Sequence, residues 1–286
     1  MFDDGIAEEL NTREQLLYEL KELGQILDES RECAEGFSPE PAWNEAVHYP
    51  ILRLALKSIA GVKCKNVYGR RLSLILVQRL ILSSTTARVV RSLVPRHVSG
   101  DILKMVDYTI NLQPTDEMRQ MILRLLESQP YHLQTINQTM SNHVRYLPIA
   151  ISIATQTLDA PEQEAKVQLG MWVAAHFNRL RLLSDQTVLP TLPLLYVSGK
   201  WWYLLFACDC PQRIVWTFSM SWSPASHIWQ ELLGELLIGD TKSVVGCYKL
   251  LAALRCLAEW VTTTFREWLE VNVLQPNAVL IVRKER

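Results

Sequence analysis

No stretch of this 286-residue chain holds the roughly 18–20 uncharged apolar residues that a membrane-spanning helix needs. Its acidic opening also lacks the basic-then-apolar order of a signal peptide. These absences predict a soluble cytoplasmic protein with no membrane partner. Cysteine is sparse: Cys33, Cys64, Cys208, Cys210, Cys247 and Cys256 are too few and too scattered for a disulfide framework. Cys208-Asp209-Cys210 is a lone Cys-x-Cys without the second ligand pair that a zinc site needs. The six histidines (His48, His97, His132, His143, His176, His227) form no His-Glu-x-x-His motif. Glycine is scarce at 11 residues, and no Gly-rich phosphate loop or Gly-x-Ser-x-Gly elbow occurs. A nucleoside triphosphatase and an α/β-hydrolase are thereby disfavoured, and no metal or cofactor is expected. Neither repeats nor low-complexity segments are present.

What remains is a globular composition, 49% hydrophobic and 21% charged, of a length that suits about one or two domains. The net charge of −1 conceals strong segregation. Residues 1–45 carry thirteen acids against Arg13, Lys21 and Arg31. Residues 61–104 carry Lys63, Lys65, Arg70, Arg71, Arg79, Arg88, Arg91, Arg96 and Lys104 against Asp101 alone. Such a basic block is the footprint of a surface that meets a polyanion. The competing reading folds the acidic head back over it, and residue order leaves both open.

Hydrophobic periodicity predicts a helix over Thr12–Leu27, with Leu16, Leu20, Leu23 and Leu27 on one face. A breaker-rich connector over Gly36–Pro41 follows, then helix over Trp43–Ala60, kinked or restarted at Pro50. Leu72–Val94 reads as an Arg-studded helix. Strands are expected over Lys104–Leu112 and Pro148–Thr157, with helices over Thr115–Ser128 and Ala160–Leu183. Leu192–Val197 and Trp201–Cys208 read as a hairpin about Ser198-Gly199-Lys200, and Ile214–Met220 as a further strand. Lys242–Val273 closes the chain as one or two helices. The alternation implies an α/β (α+β) class, a small mixed sheet flanked by helices. We divide the chain into an acidic helical segment (1–41), a main domain (42–275) and a tail (276–286).

The candidate site gathers Asp107 from one strand, Ser152–Gln156 from the next, and Glu164, Lys166 and Gln168 at a helix start. Glu164 and Gln168 share a helix face, whereas Lys166 is expected to point elsewhere into solvent. Asp107, in an apolar strand, is read as lining a cleft rather than buried with a partner. Nine tryptophans are many; Trp201, Trp202, Trp216 and Trp222 could stack on rings, although core packing is the favoured reading.

These segments resemble the fungal PD-(D/E)XK nuclease-like domain proteins. The matching stretches are Trp43-Asn-Glu-Ala-Val-His48, Thr85-Thr-Ala-Arg88, Lys104-Met-Val-Asp107-Tyr108 and Pro148-Ile-Ala-Ile-Ser-Ile153. Glu164-Ala-Lys-Val-Gln-Leu-Gly-Met-Trp172, continuing to Arg179, and Ile238-Gly-Asp-Thr241 complete the set. The resemblance implies a central mixed sheet flanked by helices, to which the N-terminal helical segment is an addition. In active nucleases of this fold an Asp and the acid of an acid-x-Lys motif hold a divalent metal. Here the Asp would be Asp107, while Ala154 and Gln156 stand in the acid and Lys positions and supply neither a metal ligand nor a cation.

Proteins resembling this domain include arginine-containing cyclodipeptide synthases of fungal secondary metabolism, which join aminoacyl groups delivered on tRNAs into a diketopiperazine. The resemblance therefore implies arginyl-tRNA and a second aminoacyl-tRNA as partners. The expected catalytic residues are Asp107, Glu164, Gln168, Ser152 and Gln156, with Ser152 or Thr155 as possible acyl carriers. The substrate is expected to meet Glu45, His48, Trp172 and Trp202. The tRNA would be met by Lys63, Lys65, Arg70, Arg71, Arg79, Arg88, Arg91 and Arg96. Two other readings stay open: a metal-dependent nuclease with a degenerate site, and an inert nucleic-acid-binding module. Oligomeric state is left open.

Overall fold

The computed structural model describes residues 3–67, 89–93, 106–184, 189–209 and 230–275. Six strands form one sheet in the order β1-β2-β3-β4-β5-β6: Val62–Asn66, Tyr108–Leu112, Ile149–Gln156, Leu192–Ser198, Trp201–Asp209 and Gln230–Asp240. β1, β2 and β3 are an antiparallel meander, and β4 to β6 continue antiparallel. Only β3 and β4 run parallel, which requires a crossover, and helix α5 (Glu162–Leu183) supplies it. β3 lies centrally with all eight residues buried, and five of them (Ile149, Ala150, Ile151, Ile153 and Ala154) are apolar, as suits a strand covered on both faces.

Pleat alternation divides the sheet into two faces. On one face pack α1 (Asp3–Glu35), α2 (Glu40–Trp43), α3 (Tyr49–Leu56) and α6 (Val244–Trp260). A π-helical turn, Asn44–His48, joins α2 to α3 immediately before Pro50, which sits in the first turn of α3. The wider turn absorbs the hydrogen bond that proline cannot make, so the helix restarts rather than breaks. Gly239 of β6 lies tight against α6: a Cβ there would stand 2.7 Å from Leu250 Cβ. α5 covers the opposite face together with the loop after α4 (Asp116–Glu127), because Arg179 of α5 donates to the carbonyls of Thr135 (2.9 Å) and Leu133 (2.8 Å). After α6 the chain stays helical through a π turn, Val261–Phe265, α7 (Arg266–Leu269) and a last π turn, Glu270–Leu274.

Several sequence expectations change. The inward stripe of α1 is Leu23, Ile26, Ser30 and Cys33, whereas Leu16 and Leu20 are exposed. The Ser30 hydroxyl meets Thr241 Oγ1 at 2.9 Å, Glu19 pairs with Arg255, and Glu22 lies 3.6 Å from Arg53. α1 is thus packed into the same apolar core as the sheet, so residue 41 is not a packing boundary. Glu19 and Glu22 find bases outside the basic block. β1 and β6 were not anticipated: β1 is short and Lys-rich, and Gly234 breaks the alternation of β6. The strand expected from Lys104 begins in the structure at Tyr108, with Asp107 in a bend before it. The strand expected over Ile214–Met220 and most of the helix expected over Leu72–Val94 lie outside the described residues; at 89–93 the chain is not α-helical, with Val89 bridging Thr139 and Arg91–Leu93 in a single 3₁₀ turn.

Candidate functional site

β2 and β3 pair Tyr108 with Ile153, which sets Asp107 one step further on, opposite Ala154. The backbone of Asp107 is held on both sides: its N–H donates to Ile153 O and its carbonyl accepts from Val67 N, each at 2.9 Å. Its Oδ2 accepts from the Thr155 N–H at 2.8 Å, and the residue is 2% exposed. Asp107 is therefore buried with a partner instead of lining an open cleft. The two positions that share a metal in this fold stay adjacent, but Ala154 offers a methyl group.

Ser152, Ala154 and Gln156 point to the α5 face. Ser152 Oγ accepts from the Trp172 indole N–H at 2.9 Å, and both residues are buried. This hydroxyl works as a strut between β3 and α5 and is not presented to an incoming acyl group. The Gln156 amide donates to the hydroxyl of Tyr196, the neighbour of Ala154 on β4.

Above them lies a group that sequence reasoning misplaced. Lys166 is half-buried instead of fully solvated: its ammonium sits 5.4 Å over the Tyr196 ring and pairs with Glu162, one turn earlier, and with Glu235 of β6 at 2.7 Å. Tyr203 of β5 stacks on Tyr196 with ring centroids 5.8 Å apart. Glu235 reaches this face because β6 bulges: Gly234 takes φ of +65°, and pairing slips between Leu204 and Phe206. Burial works against the Lys166 charge, but the hydrogen bonds and charges of Glu162 and Glu235 outweigh it and raise the pKa. Burial pushes the Tyr196 phenol up to about 12, so it carries its proton at neutral pH. The helical stripe Lys166, Leu169, Trp172, Val173 and His176 was the sequence signal that could have turned Lys166 inward. Nothing in the spacing pointed to Tyr196 or Glu235.

The remaining candidates are dispersed. His48 and Trp202 are wholly enclosed on the other sheet face, with rings edge-to-face at 5.7 Å. His48 Nδ1 meets Asn44 Oδ1 at 2.9 Å and Nε2 meets the Gly199 carbonyl at 2.8 Å. Burial drives its pKa down to about 4. Trp172 is equally enclosed, so the expectation that His48, Trp172 and Trp202 border a substrate is corrected: all three are core residues. Glu45 is exposed on the π turn beside His48, remote from the α5 face. Gln168 is half-buried on α5, and Glu164 stands in its first turn. Of the basic block, Lys63 is exposed and Lys65 half-buried on edge strand β1, and Arg91 opens the 3₁₀ turn. Arg70, Arg71, Arg79, Arg88 and Arg96 lie outside the described residues.

Donor chemistry does not fit the divalent metal that this fold family employs. Ala154 has no ligand atom, the Gln156 amide is engaged by Tyr196, and among the described residues no three His, Cys, Asp or Glu side chains converge. No helix among the described residues is long and apolar enough to cross a membrane. The family model of the PD-(D/E)XK nuclease superfamily matches residues 2–266. No curated protein and no solved structure matches the chain.

Proposed function

We propose, from the premise that the chain belongs to the PD-(D/E)XK nuclease superfamily, that its altered pocket joins two tRNA-borne aminoacyl groups, one of them arginyl, into a cyclic dipeptide. The observation that carries this reading is the β3 edge of the pocket. Ala154 lies opposite Asp107 and Gln156 two residues further along the same face, at the positions where a nuclease keeps its acid and Lys, and the Gln156 amide is bonded to a protonated tyrosine beneath an ammonium. Hydrogen-bond donors without a metal suit acyl transfer better than phosphodiester hydrolysis, because an aminoacyl ester is already activated and needs positioning and one proton transfer.

The amine of one aminoacyl group attacks the ester carbonyl of the other, the carbon–oxygen bond to the ribose breaks, and the departing hydroxyl keeps the proton that the amine loses. A second, intramolecular attack closes the ring and releases the other tRNA. Asp107 is the retained carboxylate of the site, but it is 2% exposed and bonded to the Thr155 N–H, so it relays the amine proton only once the cover over it opens. The Tyr196 hydroxyl accepts from Gln156 and also meets the Ser198 side chain, so its O–H must leave Ser198 to meet the developing oxyanion. Lys63 and Lys65 on the edge strand belong to the basic block that would follow the tRNA backbone, giving salt-sensitive binding.

The test is expression in a bacterial host with mass spectrometry of the culture. Arginine-containing cyclic dipeptides above an empty-vector control are expected, and they should drop by about 10²-fold or more in Asp107→Asn. Soluble, folded protein with no such product would overturn the reading. A second reading, residual nuclease activity, is favoured by the retention of Asp107 at the motif position. Divalent-metal-dependent cleavage of RNA or DNA that Asp107→Asn abolishes would establish it instead. Salt-sensitive binding with neither outcome would leave a binding module.

A further inference from the structure

We infer that α1 carries a self-recognition face, through which two copies of this chain join helix against helix and antiparallel. The inference stands apart from the aminoacyl-transfer reading and uses none of its residues.

α1 is apolar on two sides, and the core takes only one of them. Leu23, Ile26, Ser30 and Cys33 form the inward stripe. Leu16, Leu17 and Leu20 form a second stripe, turned about 100° around the helix axis from the first. They are 56%, 58% and 45% exposed. Three large apolar side chains gathered on one helix face mark an interaction site, where isolated ones would not.

Gly24 continues the second stripe one turn beyond Leu20. Glycine inside a helix is destabilising relative to alanine. Nothing in the chain requires it here, because a Cβ built on Gly24 would meet no neighbour within 4 Å. Bare backbone in open space, next to exposed leucines, is a notch that fits a side chain approaching from another molecule.

Charge identifies that molecule as a second copy. A uniformly acidic helix would repel itself, but the acids on the body side are already paired, Glu19 with Arg255 and Glu22 with Arg53. Around the second stripe both signs occur. Arg13 lies within it, and Glu14 and Lys21 border the same flank, about 20° apart around the axis. All three are exposed and make no ion pair among the described residues. Asp28, further along that flank, is paired with Arg31. Run parallel, two copies keep Glu14 and Lys21 about 10 Å apart along the axis, and the opposite charges do not meet. Run antiparallel about a two-fold axis between Tyr18 and Glu19, Leu17 meets Leu20 of the second copy. Glu14 then comes beside Lys21, the Arg13 stem crosses the Gly24 notch, and symmetry makes each contact twice.

The experiment is sedimentation equilibrium of the purified full chain from about 1 to about 300 µM, the weak range that a contact of a few helical turns implies. The mass should climb from the 32.8 kDa of one chain toward twice that value. Leu17→Glu combined with Leu20→Glu should weaken association by about 100-fold or more. Both leucines are exposed in the single chain, so its circular dichroism and thermal unfolding at low concentration should not change. Glu14→Lys or Lys21→Glu alone brings like charges together twice and should weaken the dimer by about tenfold. Combining the two reversals should restore it. A chain that stays at 32.8 kDa throughout would overturn the proposal and leave this face to a different protein. A dimer indifferent to the leucine substitutions, or combined reversals that fail to restore affinity, would overturn it equally. If the leucine variant fails to fold, the wild-type mass and the charge reversals still decide.

Discussion

His48 and His176 should make this protein lose stability steeply as pH falls below neutrality, and the size of the effect follows from their surroundings. Both are wholly enclosed, and burial drives both pKa values from the ordinary 6.5 down to about 4. His48 is the more demanding case, since two acceptors, Asn44 Oδ1 and the Gly199 carbonyl, face its ring nitrogens. The Gly199 bond favours the imidazolium, but loss of solvation outweighs it.

Between about 4 and 6.5 the unfolded chain therefore binds more protons than the folded one. Stability is fully present above 6.5 and is lost as pH falls through that window. Each histidine costs ~1.4 kcal/mol per pH unit, so each removes ~2 kcal/mol by pH 5 and ~3 kcal/mol by pH 4. At pH 5 the pair together takes ~4 kcal/mol, a large share of the roughly 5–15 kcal/mol that a domain possesses. Urea unfolding at half-unit steps from pH 8 to pH 5 measures the slope. His48→Gln and His176→Gln should each remove about one proton's worth of it. A slope untouched by both substitutions, or a His48 ring that titrates near 6.5 by NMR in the folded protein, would refute the assignment of these side chains as neutral core groups.

Leu23→Ala on α1 should cost ~2–5 kcal/mol, because Leu23 is fully buried in the common core. Chemical denaturation showing less than ~0.5 kcal/mol would mean that the first 41 residues are an independent appendage after all. Trp172→Phe should cost ~1–3 kcal/mol by leaving the buried Ser152 hydroxyl without its indole donor. Adding Ser152→Ala should recover part of the loss, and a double-mutant cycle with no coupling would refute the strut.

Most of the sheet's centre was legible because its periodicities are clean. The mostly apolar eight-residue β3, the hairpin at Gly199 and the capped α4 each satisfy local and tertiary demands together, with Thr115 accepting from the Met118 N–H as the cap. Legibility failed where one residue changes the geometry. β6 was missed because Gly234 inserts a bulge that breaks the period of two. β1 was missed because an edge strand of five residues with Lys63 and Lys65 carries the charges that guard such edges, and so lacks an apolar signature.

The candidate site was half legible for a related reason. Asp107, Ala154 and Gln156 are neighbours through backbone pairing, which strand register alone can foresee. Lys166, Tyr196 and Glu235 meet through side chains from a helix and two further strands, and the last owes its direction to a single positive φ. A one-residue slip of β6 would send Glu235 to the face occupied by α6 and leave Lys166 with Glu162 alone. The pairing that sets Asp107 opposite Ala154 thus belongs to the sheet's backbone, whereas the Lys166–Glu235 contact depends on the bulged course of β6. Substitutions at Gly234 should therefore separate Lys166 from Glu235 well before they change whether the chain folds.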